Sequence, residues 1–104
     1  MLINKKMYEP GDILCFKVTN GDEIIAKFVE GTTEGYVITR PCTVIPSPQG
    51  IGLVQSLFCG ELNNNVTLKF DHVIMHAPVV KEMEAHYIKT TTGIQTVNKG
   101  GLIT

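Results

Sequence analysis

Between Asp12 and Thr39 the chain runs through three stretches of alternating apolar and polar residues, broken first at Asn20-Gly21 and then through Gly31 and Gly35. A period of two belongs to a strand with one buried face, so three short antiparallel strands are expected. Leu14, Phe16 and Val18 share one face of the first strand, and Ile24, Ala26 and Phe28 share one face of the second. Both faces can cover one core only if the loop between the strands has an odd number of residues. A loop of Thr19-Asn20-Gly21 meets that condition. Its glycine takes the left-handed position that closes a type I turn with a bulge, which sets Phe16 opposite Ile24.

The same reading extends along the chain. Glu9-Pro10-Gly11 is a turn that ends a short N-terminal arm. Strands are expected over 12–18, 23–30 and 36–45, the third bent or placed at an edge because Pro41 costs it a ladder bond. After the stiff turn 46–50, residues 51–59 are apolar on both faces around Leu53, Val54, Leu57 and Phe58, so one face needs cover from outside the core. Asn63-Asn64-Asn65 turns the chain into the alternation of Val66, Leu68 and Phe70, and Val73 to His76 forms a short last strand. From Pro78 the period becomes helical, with Val79, Val80, Met83 and Tyr87 in one stripe. The expected architecture is a single mainly β domain over 1–104. It is a small, strongly bent antiparallel SH3-like barrel of five to six strands over 12–77, one C-terminal helix over 78–90, and a loosely held tail over 91–104.

Composition narrows the function classes. A chain of 104 residues buries roughly two thirds of its unfolded surface, enough for one core without staples. Nine basic against ten acidic side chains give a net charge of −1, which lacks the basic excess of an autonomous nucleic-acid binder. Cys15, Cys42 and Cys59 are odd in number and spaced like neither a disulfide framework nor a zinc knuckle, so they read as reduced thiols in strands. His72 and His76 at the two ends of one strand would be about 13 Å apart, too far to share an ion. No carboxylate or cysteine completes a ligand set around them or around His86. Gly50-Ile51-Gly52 leads into a strand rather than a helix and cannot cradle phosphate as glycine loops do. Neither a catalytic site, a metal site nor a cofactor is expected. Lys5 and Lys6 are not followed by a signal-peptide apolar run, and no stretch approaches the ~20 apolar residues of a membrane span, so the expected location is cytoplasmic.

The order of short bent strands with the Asn20-Gly21 turn resembles the Sm-like family, which includes the Sm and Lsm proteins, bacterial Hfq and stand-alone proteins of phages that infect cyanobacteria. The first Sm motif falls on Phe16 to about Thr39, with Ala26 where a glycine is expected. The family's RNA-contacting aspartate and asparagine fall on Thr32 and Tyr36. The second motif, apolar-Arg-Gly-Asp-Asn-apolar, aligns with Leu68-Lys69-Phe70-Asp71-His72-Val73, and Phe70-Asp71-His72 is similar to the Tyr-Lys-His of Hfq. The span between the motifs is longer than usual, and the helix lies after the strands rather than before them. The resemblance implies an Sm-like barrel without enzymatic activity that assembles into a homo-oligomeric ring by pairing the family's fourth and fifth strands between neighbours. It also implies a module that binds or chaperones single-stranded RNA, in the host cytoplasm if the protein is phage-encoded. Tyr36 would stack on bases, and Lys69 and His72 would contact phosphate. The alternative is a ring-forming scaffold for protein interactions that keeps the fold without the RNA.

Overall fold

A computed structural model describes residues 8–48, 50–57 and 63–100, with side chains up to residue 92. The elements are β1 (Ile13–Val18), β2 (Glu23–Gly31), β3 (Gly35–Ser47), β4 (Gly50–Gln55), β5 (Asn65–Lys69), a 3-10 turn (Phe70–His72), β6 (Val73–Pro78) and α1 (Lys81–Gly100). All strand pairs are antiparallel and form one sheet in the order β4-β3-β2-β1-β6, with β5 on β3.

The first hairpin is as the odd-loop argument requires. Phe16 pairs with Ile24, and Gly21 has φ of 96°. Val18 and Asp22 close the loop, with the Val18 amide donating to the Asp22 carbonyl at 3.0 Å and the Gly21 amide to the Val18 carbonyl at 2.8 Å. Asn20 contributes its own turn bond, its Oδ1 accepting from the Asp22 amide at 2.9 Å.

β3 is the element on which the sheet is built. Its first half pairs with β5 through Gly35↔Lys69 to Thr39↔Asn65, and its second half pairs with β4 through Cys42↔Gln55 to Ser47↔Gly50. β2 runs along the opposite edge. Between the halves Arg40 adopts φ of 53°, a left-handed conformation that a side chain tolerates poorly. Pro41 follows directly, so the expected bend is there, and the β2 ladder shifts register across it between Ile25 and Lys27.

Both faces of the sheet are covered. On one face Leu14, Phe16, Ala26, Phe28 and Ile38 form a core with Tyr8. On the other, Ile13, Ile25 and Cys42 pack beneath Tyr87 of α1, with Cys15, Val44, Leu53, Val79 and Met83 around them. Val80, expected in the apolar stripe, is exposed instead. The helix also runs on to Gly100, where a tail from residue 91 was expected. Thr91 lies buried inside it, its hydroxyl donating to the Tyr87 carbonyl at 3.0 Å.

The sheet is open, which corrects the expectation of a closed barrel. Among the described residues β5 pairs with β3 alone and β6 with β1 alone. The backbone that would start a closing β5–β6 ladder is engaged elsewhere. The Phe70 amide donates to the Glu34 carbonyl at 3.0 Å, and the His72 carbonyl accepts from the Thr19 amide at 2.9 Å. The strand expected over 51–59 ends at Gln55, and its remainder from Phe58 lies outside the described residues.

Candidate functional site

The loop between β2 and β3 and the 3-10 turn after β5 meet at one end of the sheet. Thr32 organises the loop: its Oγ1 accepts the amides of Glu34 and Gly35 at 3.1 Å each and donates to the Gly35 carbonyl at 3.1 Å. Gly35 is buried, and a Cβ placed on it would overlap the Leu68 carbonyl. Only glycine lets β3 approach β5 this closely. The Glu34–Phe70 backbone bond then ties the loop to the turn, bringing the stretches that carry Thr32, Tyr36, Lys69 and His72 into one region.

Within that region the side chains part. Tyr36 pairs with Leu68 across the strands, and both pack against the Phe16 core. Lys69, one residue on, alternates to the opposite face and is exposed. His72 is exposed in the turn, its Nδ1 3.5 Å from the Thr19 hydroxyl, too long for a strong bond. Asn20 and Gly21 lie in the hairpin turn that Thr19 begins.

Tyr36 is not an open platform. Its ring lies 5.3 Å from Phe16 and 5.0 Å from Phe70, the latter edge-to-face at 87°. Its hydroxyl is 2.9 Å from His76 Nε2, while Tyr8 Oη is 2.7 Å from His76 Nδ1. A neutral imidazole has one N–H and one lone pair, so one phenol donates to His76 and the other accepts from it. Burial raises the Tyr36 phenol above its ordinary range. Burial raises Tyr8 as well, reinforced by Tyr36, Cys15 and Asp12. Both phenols therefore stay protonated at neutral pH. The pairing joins the arm at Tyr8 to β3 and β6, and sequence reasoning missed it. His76 read as a strand-end histidine, and Tyr8 belongs to no periodic pattern.

Beside this cluster lies a cleft of about 460 Å³ lined by Tyr8, Pro10, Phe28, Glu30 and Tyr36, among others. A second, more polar cavity of about 320 Å³ lies under α1 between Lys27, Arg40, Glu84 and Tyr87. The described thiols are poor nucleophiles. Burial pushes Cys42 up to about 11. Burial also raises Cys15, with Glu23 adding to the effect, and its Sγ lies 3.4 Å from the Ala77 carbonyl. Cys59 lies outside the described residues. His72 and His76 have different partners, and among the described residues no group of three or more potential metal ligands converges.

Large apolar side chains are exposed beside these charged ones. Phe70 on the turn and Ile74 and Met75 on β6 are exposed, the last two at 56% and 61%. No described helix is long and apolar enough to cross a membrane. No family model matches this chain, and no curated protein matches it.

Proposed function

We propose that this protein is a non-enzymatic, Sm-like binding module that works as a homo-oligomeric ring and holds single-stranded RNA on the assembled face. The observation that carries the reading is the open edges of the sheet: β6 ends the order β4-β3-β2-β1-β6, and at the other end β4 and β5 each pair with β3 alone among the described residues. β6 and β5 each have one laddered neighbour among the described residues, and Ile74 and Met75 project from β6 into solvent. An exposed edge strand with large apolar side chains is a template for another chain. Pairing β6 of one copy with β5 of the next is a head-to-tail contact, which makes a ring when the rotation closes. Strand order, hairpin register and the resemblance at residues 16–39 and 68–73 support the same assembly.

RNA as the ligand draws support from the Glu34–Phe70 bond, which gathers the segments of both resembling motifs at one end of each protomer. Lys69 and His72 are exposed there and would be repeated around a ring. The second reading, a protein-interaction scaffold, is favoured by the enclosure of Tyr36 and by the exposed acids Glu34 and Asp71 in the same region. Fluorescence anisotropy with labelled uridine-rich and adenine-rich oligonucleotides at two salt concentrations separates them. RNA binding predicts affinity that falls steeply with salt and a shallower slope for Lys69→Ala. An assembled protein that shows no binding at low salt establishes the scaffold.

A further inference from the structure

We propose that the cavity between α1 and the bend of β3 binds a free acidic α-amino acid, whose two carboxylates meet Lys27 and Arg40 and whose ammonium meets Glu84. The cavity holds about 320 Å³, within the range of small-molecule sites. Its floor is the sheet and its roof is the helix. Lys27 on β2 stands directly opposite Ile13, which packs beneath Tyr87, and residues paired in this way rise on one face, so the lysine lies on the helix side. Arg40 lines the cavity from β3. Burial, with Cys42 adding to it, raises the Tyr87 phenol, and the Arg40 charge opposes that rise, as a guanidinium on the helix side of the sheet does. From the roof, Glu84 shares one helical stripe with Tyr87, Ile88 and Thr91, of which Tyr87 and Thr91 are buried.

The charges face one another without closing. Among the described residues Lys27 and Glu84 make no ion pair, although both line the same cavity. The neutral polar groups are already engaged: the Tyr87 hydroxyl donates to the Arg40 carbonyl at 2.7 Å, and the Thr91 hydroxyl lies 3.0 and 3.2 Å from the Tyr87 and Ile88 carbonyls. Recognition is left to two cations and one carboxylate, the complement of a ligand with two carboxylates and one ammonium. A dianion without the ammonium would be repelled by Glu84, and an amine without carboxylates by the two cations. The backbone of Arg40 supplies an independent observation. Its φ of 53° is one that glycine adopts freely, yet the position carries a guanidinium. Strain kept at the wall of a cavity points to a side chain that the site uses. Asn63 Oδ1 accepts from Arg40 Nε at 2.9 Å, which orients the planar guanidinium, whose terminal nitrogens suit a carboxylate. All of these residues belong to one protomer and to the face that α1 covers, so the site goes beyond the binding-module reading, and its failure would leave that reading untouched.

The test is an amide NMR titration of the full chain with three probes: L-glutamate, glutarate, which lacks the ammonium, and L-alanine, which lacks the second carboxylate. The expected result is a saturable shift with L-glutamate at the amides of Lys27, Arg40 and Glu84, and binding of glutarate and of L-alanine weaker by about ten-fold or more. Glu84→Gln is expected to weaken L-glutamate and to strengthen glutarate, a reversal that a merely structural role for Glu84 does not produce. Lys27→Gln, at an exposed position, is expected to weaken L-glutamate roughly three- to ten-fold. Arg40→Gly removes the guanidinium and the backbone strain together, and is expected to lose saturable binding while keeping the folded amide spectrum. The proposal is overturned if L-glutamate gives no saturable shift, if glutarate or L-alanine binds as well as L-glutamate, if Glu84→Gln changes both ligands alike, or if folded Arg40→Gly binds as the wild type does.

Discussion

Gly21 and Gly35 are both required as glycine, for different physical reasons that substitution can separate. Nothing lies within 4 Å of a Cβ built on Gly21, yet its φ of 96° is a conformation that L side chains resist. Gly21→Val is therefore expected to cost about 1–3 kcal/mol through the backbone alone, read as a lower urea midpoint. At Gly35 the obstacle is the Leu68 carbonyl of the adjoining strand. Gly35→Ala is expected to cost at least as much and to loosen β5 specifically, seen as faster amide exchange at Val66 and Leu68 than in Gly21→Val. Equal exchange in the two variants would show that β3 and β5 part without strain. Of the two, Gly21 was legible from sequence because its neighbours specify the turn locally. The demand on Gly35 comes from a strand more than thirty residues away, and nothing local announces it. The same holds for His76, whose phenol partners lie 40 and 68 positions away.

Elements were legible where a period governs them and less so where a single residue redirects them. The alternation over 12–39 specified three strands and the register of the first hairpin. It also concealed something, because Ile13, Cys15 and Ile25, on the face opposite the assigned core, are apolar too and pack with α1. The residue that fastens the helix is Tyr87, which is buried and whose hydroxyl donates to the Arg40 carbonyl at 2.7 Å. It thus holds the strained residue at the β3 bend. Burial, with Cys42 adding to it, raises the Tyr87 phenol above its ordinary value. The folded state therefore keeps this proton more tightly than the unfolded chain does. The corresponding stability is complete below the unfolded value of about pH 10 and is lost as pH rises beyond it toward the folded value. Tyr87→Phe is expected to cost about 1 kcal/mol at pH 7 for the lost hydrogen bond and to flatten the fall in stability above pH 10. Thermal melts at pH 7, 9 and 10.5 check both; an unchanged alkaline slope would place that titration in another group. At the bend itself, Arg40→Gly is expected to be more stable than Arg40→Val by at least about 1 kcal/mol, because only glycine takes φ of 53° without strain.

For the whole molecule, the sheet that fails to close within one chain is the feature with the largest consequence. A closed barrel would have no edges to offer, whereas this sheet leaves β5 and β6 each with one laddered neighbour among the described residues. Sequence alone could not distinguish the two outcomes, since closure depends on where Phe70 and His72 send their backbone bonds, and those partners, Glu34 and Thr19, are distant in the chain. If the open edges meet between copies, light scattering at micromolar concentration should give a mass that is a multiple of 11.4 kDa. Ile74 is the position at which to break the contact, because its side chain is 56% exposed and takes no part in either core. Ile74→Glu places a charge on each β6 and repeats it at every junction, where desolvating it has no compensating partner. The variant is expected to run as an 11.4 kDa monomer with an unchanged far-ultraviolet circular dichroism spectrum. A wild type that is already monomeric would sink the ring, and an assembled Ile74→Glu would move the interface away from β6. The exposed apolar residues Ile45 and Ile51 on β3 and β4 would then be the next surface to charge.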